Sequence, residues 1–336
     1  MKKIRVGVVG VGHLGKFHVE KYARMAGVEL VGIADTNRER RESIARKYRI
    51  PGYEDHRPLL SRIEAVSIAV PTSEHTCVTR DFLEHGTDVL VEKPISVSLT
   101  EAEELITLAD LHQRVLQVGH LERFNPVYLK AKPLIRHPLF FESQRLSPFK
   151  ARSLDVDVVL DLMIHDLDLI LDLVPFPVRE VHGVGVPVVS PRADIANVRV
   201  QFQNGCVANI TASRISQKER RQMRIFQPAG YLALDFVEKA FSQVRLEKPE
   251  EGLASGPRFV SASEKPASGD ALEKELQSFI EAVRTRCRPE VCGEDGRKAL
   301  ALALRINREI EKNLQLAKES HGAADFFKSL QGPHPR

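Results

Sequence analysis

A chain of 336 residues is longer than one hydrophobic core serves, so two domains are expected. With 43% hydrophobic and 28% charged residues the composition is that of an ordinary soluble globular protein, and a formal net charge of +4 carries no nucleic-acid footprint. No apolar run reaches the ~20 residues of a membrane helix, and Cys77, Cys206, Cys287 and Cys292 form neither a CxxC pair nor a zinc spacing, which points to reduced thiols in the cytoplasm.

The start, "MKKIRVGVVGVGHLGKF", imitates a secretory signal in its basic residues and short apolar stretch. Glycines and a histidine interrupt the stretch, and it continues into a better pattern, so the signal is rejected. Residues 4–9 read as a buried strand, with a helix from about Leu14. Strands follow at 28–35, 64–71, 88–94 and 114–120. Between them lie the charged helix "NRERRESIARKY", a helix around "EHTCVTRDFLEHG", and one over 101–112 that Thr100 and Glu103 would open as a capping box. Apolar strands alternating with helices predict a doubly wound parallel sheet over residues 1–122, a Rossmann domain of the α/β class.

After about residue 123 the grammar changes. The run 158–174 reads as an apolar helix. Strand-like stretches follow without intervening helices over 179–189, 196–214 and 221–237, with a hairpin signal at Asn204-Gly205. Residues 247–270, rich in Pro, Gly, Ser and Glu, read as an exposed loop. Helices at 271–286 and 295–314 close the chain. The second domain, 123–316, is therefore α+β with an open, mainly antiparallel sheet, and 317–336 forms a poorly ordered tail.

"VVGVGHLG" places Gly10, Gly12 and Gly15 in the GxGxxG spacing, after a strand and at the opening of a helix, with Asp35 at the end of the second strand. That is the context of a dinucleotide fingerprint. Gly10 allows the tight turn, Gly12 lets the backbone approach a pyrophosphate, and Gly15 lets helix and strand pack. His13 and Leu14 line the same loop through their backbone. A carboxylate at Asp35 accepts hydrogen bonds from ribose hydroxyls and repels a 2′-phosphate, which favours NAD over NADP. Arg38, Arg40 and Arg41, just downstream, read as a solvated helix face that could alternatively hold a phosphate.

In "VVLDLMIHDLDLILDLV", Asp161, His165, Asp168 and Asp172 recur at steps of +4, +3 and +4 and share one stripe of an otherwise apolar helix. A charged stripe on a buried helix must face a polar partner or a wet cleft. A substrate cleft is favoured over a metal, because three ligands from one helix with no evident fourth make an unusual site. Asp168 and Asp172 read equally well as internal contacts.

The fingerprint, "VEKP" at 91–94, "QVGHLERFNP" at 117–126 and "DLMIHDLD" at 161–168 together resemble the glucose-fructose oxidoreductase/inositol dehydrogenase/MocA (Gfo/Idh/MocA) family, and "CGEDGRKALALALRINREI" resembles its closing helix. The resemblance implies oxidation or reduction of a sugar or polyol hydroxyl with a nicotinamide cofactor. It carries Lys93, Asp161 and His165 over as the chemical groups, with Pro71, Thr72, His75 and Glu92 near the nicotinamide ribose. It also implies a homodimer or homotetramer through the C-terminal sheet. Where the family often has glycines before the helix aspartate, this chain reads "VDVVLD".

The residue types suit that chemistry. His165 has an intrinsic pKa near neutrality, as a general base needs, Asp161 can orient it, and Lys93 at a strand's C-terminal end can stabilise a developing alkoxide. Arg123 and Asn125 at the expected hinge, and Arg214 and Arg221 in "SRISQKERRQMR", read as contacts for an anionic substrate or as solvated charges. Within the family these segments resemble the nucleotide-sugar enzymes, which implies UDP-N-acetylglucosamine oxidised at C3. A dehydrogenase of a free polyol such as inositol is the alternative of the same class, and a non-catalytic NAD-binding regulator that of another.

Overall fold

The computed structural model describes residues 2–149, 156–247, 258–265 and 269–321. The chain divides into two compact units, and the division is not a single cut near residue 122. Unit 1 is Met1–Phe124 with Gly269–Leu300, and unit 2 is Asn125–Ser268 with Ala301–Arg336.

Unit 1 holds a six-stranded sheet of Ile4–Val9 (β1), Val28–Ala34 (β2), Gly52–Tyr53 (β3), Ala65–Ile68 (β4), Asp88–Glu92 (β5) and Leu116–Gly119 (β6), all parallel, in the order β3-β2-β1-β4-β5-β6. The crossovers contain helices Gly15–Arg24 (α1), Arg38–Tyr48 (α2), Thr72–Glu84 (α3) and Leu99–Leu111 (α4). β4 and β5 are buried at every position, as strands covered on both faces must be. α4 is capped two residues earlier than expected. The Ser98 hydroxyl accepts the Glu101 N–H, and the Glu101 carboxylate accepts the Ser98 N–H, so Thr100 and Glu103 are not the box.

Unit 2 holds helix Pro126–Ala131 (α5), strand Phe140–Leu146 (β7) and helix Ile164–Leu173 (α6), then strands Val178–Val186 (β8), Ile195–Phe202 (β9), Val207–Ser213 (β10), Arg220–Gln227 (β11), Gly230–Asp235 (β12), Ala240–Glu247 (β13) and Arg258–Glu264 (β14). The sheet order is β14-β13-β12-β11-β7-β10-β9-β8, antiparallel except for the β7–β10 pair. The β9–β10 hairpin turns at Gly205, whose φ of +85° favours glycine. β14 corrects the expected loop over 247–270: it pairs antiparallel with β13 from Phe241↔Glu264 to Glu247↔Arg258. It lies at the sheet edge and is exposed almost throughout, so no hydrophobic alternation marks it in the sequence.

Helix Ala271–Thr285 (α7) explains why the chain returns to unit 1. Its stripe Leu272, Leu276, Phe279, Ile280 and Val283 joins Val6, Val8, Tyr22 and Ile33 in one core. Helix Gly293–His321 (α8) runs longer than the 295–314 expected. In unit 2 its Asn313 amide donates to Gly183 O at 2.7 Å. The expected tail lies outside the described residues from 322 onward. No helix among the described residues is long and apolar enough to cross a membrane.

Candidate active site

The dinucleotide fingerprint occupies the topological switch point. From β1 the sheet grows through β2 to β3 on one side and, through β4, to β6 on the other, and ligands bind at the strand ends beside that reversal. Gly10 has φ +79° there. A Cβ on Gly15 would stand 1.8 Å from Gly10 O, so only glycine lets α1 begin this close to the turn. A cavity of about 630 Å³ opens beside it, lined by Gly10, Gly12, Asp35, Arg40, Pro71 and Glu74 among others. Asp35 is anchored rather than loose: Oδ2 accepts the Val11 N–H at 2.9 Å and Oδ1 the Asn37 N–H at 2.8 Å. This cradle of glycine backbone, open cavity and fixed carboxylate fits NAD.

The arginines after Asp35 do three different things. Arg38 pairs with Glu42 on the solvent side, Arg41 donates to Asp35 O at 2.7 Å, and Arg40 Nε lies 3.5 Å from Asp35 Oδ2. NAD is expected to bind roughly tenfold or more tighter than NADP, about 1.4 kcal/mol. Asp35→Ser should erase most of that gap. Isothermal titration with both cofactors measures it, and equal wild-type affinities would mean that Arg40 outweighs Asp35.

Glu92 ends β5, and Lys93 and Pro94 follow it. Lys93 is half-buried and Glu92 is 8% exposed. Pro71 and Thr72 form the entry of α3, and Pro71 lines the cavity. His75, expected near the nicotinamide ribose, is buried between two carbonyls. It is 1% exposed, with Nδ1 2.8 Å from Pro94 O and Nε2 3.0 Å from Val70 O. Burial holds its pKa below the ordinary histidine value. A buried neutral ring has one N–H, so it donates to one of these carbonyls and packs against the other, between the Val70–Pro71 and Pro94 segments. His13 is exposed and packs edge-on to Phe17 at 6.3 Å.

In unit 2 the polar stripe is not one regular helix. Val159–Met163 winds as a single π-turn, and α6 begins only at Ile164. Single π-turns inserted before or within α-helices recur at functional sites. Asp157 caps this one, with Oδ1 accepting from Val159 N at 2.9 Å and Leu160 N at 3.0 Å, while Asn307 of α8 donates to its Oδ2 at 2.9 Å. Asp161 sits in the π-turn and His165 in the first turn of α6, both half-buried. Below them Asp166 forms a buried two-pronged ion pair with Arg145 of β7, at 2.9 and 3.0 Å, and fixes the helix to its sheet. Asp168 is 1% exposed. Asp172 accepts from the Tyr128 hydroxyl and from Lys132 Nζ, and therefore ties α6 to α5.

The arginines read from sequence separate. Arg214 is 4% exposed; Nε donates to Asp194 Oδ1 at 2.8 Å, one terminal nitrogen to Val156 O at 2.8 Å, and the other to the Ser190 hydroxyl at 3.1 Å. This corrects its reading as a substrate contact, because a guanidinium spent on three internal acceptors is a structural tie. Arg221 is half-buried beside Glu219 and shares its strand face with buried Met223 and Ile225. Arg123 is 4% exposed, in the 3₁₀ turn Leu121–Phe124. Asn125 accepts the Val127 N–H at 3.1 Å and caps α5. Among the described residues no three His, Cys, Asp or Glu side chains group to hold a metal.

Sequence reasoning missed Asp157, Arg145, His18 and Glu275, the last two fully buried. The last two had a signal, since each stands on the apolar stripe of its helix, where a titratable residue is out of place.

Residues 4–120 match the oxidoreductase family with an NAD-binding Rossmann fold, GFO_IDH_MocA, and residues 137–233 match the GFO/IDH/MocA C-terminal domain. The chain is 38% identical over 321 residues to UDP-N-acetylglucosamine 3-dehydrogenase of Acidithiobacillus ferrooxidans, covering 94% of this chain and all of that one. A solved structure of the enzyme of that name from the same organism superposes with a TM-score of 0.86 at 36% identity, over 93% of this chain and 99% of the other. The scyllo-inositol dehydrogenase of Lactobacillus casei, solved with NAD(H) and scyllo-inositol, shares the fold at 22% identity, with a TM-score of 0.78 over 93% and 98% of the two chains. With both domains matched in order and a full-length relative at this identity, the chain belongs to the Gfo/Idh/MocA oxidoreductases.

Proposed function

We propose that this chain is an NAD-dependent dehydrogenase that oxidises the C3 hydroxyl of UDP-N-acetylglucosamine or of a closely related nucleotide sugar. The observation that carries the reading is the full-length similarity to the Acidithiobacillus enzyme of that activity, which includes both domains. NAD, when bound, takes the hydride. The protein's own residues must then bind the sugar, remove the hydroxyl proton and hold the charge that develops. His165 suits the proton, since an imidazole titrates near neutrality. Asp161, set by the π-turn and its Asp157 cap, orients the imidazole or a neighbouring hydroxyl. Lys93 supplies a cation for the alkoxide. Which of Lys93 and His165 formally takes the proton is a matter for pH-resolved kinetics.

Of the four polar groups read as substrate contacts beyond this set, Arg221 keeps the strongest claim, because among the described residues its guanidinium is tied only to half-exposed Glu219. An arginine fork suits a pyrophosphate, which a free polyol lacks. Arg221→Ala is expected to raise the Michaelis constant for UDP-N-acetylglucosamine roughly tenfold, the scale of one charged hydrogen bond, with NAD affinity unchanged. UDP should protect the wild-type protein in a thermal shift assay. No protection by UDP, with turnover of myo-inositol instead, would favour the polyol dehydrogenase.

We also propose assembly through the open face of the eight-stranded sheet, where Val184 and Val186 of β8 are 54% and 44% exposed. Four free thiols suit a reducing compartment, the cytoplasm. Light scattering on the purified protein tests the assembly.

A further inference from the structure

Unit 1 buries an acid that the cofactor cradle does not account for. Glu275 of α7 is 0% exposed and lies on the stripe of Leu272, Leu276 and Phe279. Among the described residues no hydrogen-bond donor reaches either of its carboxylate oxygens. A carboxylate in that setting is too costly to ionise, so the group is a neutral carboxylic acid. Burial first, and then the Glu92 charge, raise its carboxyl well above the ordinary range. A neutral acid carries one O–H, and in a buried place that O–H needs an acceptor.

The anion whose charge bears on Glu275 is Glu92. Its side chain folds against β6, where a Cβ on Gly119 would stand 2.8 Å from Oε2, and its Oε1 lies 3.1 Å from Nε2 of fully buried His18. Gln117 of β6 donates to the Glu275 main-chain oxygen at 3.2 Å and keeps its own Oε1 bare. Being neutral, it competes less well for an O–H than an anion does. His120, 1% exposed, follows β6 directly, and buried Asp88 opens β5 in an ion pair with Arg286. The Tyr22 hydroxyl contacts Ser67 at 2.8 Å, Lys21 pairs with Asp270 at the margin of α7, and the 3₁₀ turn packed on α7 adds Glu122 and Arg123.

The topology tells which half of the dinucleotide meets Glu92. Asp35, directly after β2, would take the adenosine side of a bound dinucleotide, and the nicotinamide half would then extend toward β4 and β5, the strand that Glu92 ends. We propose that Glu275 is a positioning residue: as a neutral acid it donates a hydrogen bond to the Glu92 carboxylate and fixes that charge at the nicotinamide end of the sheet. An anion there favours the cationic oxidised nicotinamide over the neutral reduced one. The inference rests on the dinucleotide site alone and not on the identity of the sugar.

The test compares Glu275→Gln with Glu275→Leu on the full chain, by calorimetric titration of NAD⁺ and NADH. Gln still donates and should keep the ratio of the two dissociation constants within about twofold of wild type, whereas Leu should shift it roughly tenfold toward NADH, the scale of one charge-assisted hydrogen bond. Melting of the cofactor-free protein supplies a second readout. A raised carboxyl contributes its full stability below the ordinary glutamate value of about 4.3 and loses it as pH rises through the raised value. Gln, neutral at every pH, should therefore gain in melting temperature over wild type as pH rises above that ordinary value. A folded Leu variant with the wild-type ratio, a Gln variant that shifts the ratio as far as Leu, or a Gln-minus-wild-type difference flat with pH would each overturn the proposal. If Leu fails to fold, the Gln ratio and its melting profile decide. Wild-type protein that binds neither cofactor would overturn the dinucleotide site itself.

Discussion

Lys93→Ala and His165→Ala are each expected to lower turnover by roughly 10²-fold or more, the scale of a general acid–base group, with NAD affinity near wild type. Affinity for NAD comes largely from the glycine turn, the start of α1 and the anchored Asp35, none of which these substitutions touch. Lys93 follows β5 directly, at the strand ends where ligands bind in such sheets. His165 stands in the first turn of a helix fixed from below by the buried Asp166–Arg145 pair, so its truncation should leave the helix in place. Asp161→Asn should be milder if the side chain only orients. Steady-state kinetics on the three variants, with calorimetric NAD titration as the control, measure this. A His165→Ala enzyme active at neutral pH would move the base to Lys93 or to water.

Arg214→Leu is expected to cost about 3–5 kcal/mol of stability rather than substrate affinity, because it leaves a buried charge without its partner. Asp194 is 0% exposed. Although burial pushes its carboxyl up, the N–H groups of Val188, Val189 and Ser190 and the Ser190 hydroxyl hold it below the ordinary value, so it stays ionised. Losing Arg214 strands that charge and frees the Val156 carbonyl at the approach to the π-turn. Arg221→Ala, which removes a half-exposed pair with Glu219, should leave stability within about 1 kcal/mol. Urea denaturation midpoints separate the two. A stable Arg214→Leu with a raised Michaelis constant would return Arg214 to the substrate.

Unit 1 was legible where its signals are local. Gly10, Gly12, Gly15 and Asp35 are set by one turn and the strand beside it, and apolar strands buried on both faces announce themselves. The return of 269–300 to that unit was not legible, since the stripe of α7 fits any apolar surface and only tertiary packing selects the core of Val6, Val8 and Tyr22. The +4 spacing of Asp161 and His165 pointed to a shared face, but a π-turn differs from an α-turn by one residue and leaves no pattern to read. Arg214 misled because sequence shows a charge without its partner: Asp194 lies 20 residues away and meets it only when β9 and β10 pair. Arginines in a strand look alike until the sheet assigns one to a buried acid and another to its margin.

The most direct test of the account is the rate of NADH formation by the purified protein with NAD and UDP-N-acetylglucosamine, set against the same assay with myo-inositol and with free N-acetylglucosamine. The account predicts turnover with the UDP-sugar, a 3-keto sugar nucleotide as product, and little activity with the two free compounds. Turnover of myo-inositol without any response to the UDP-sugar would contradict it.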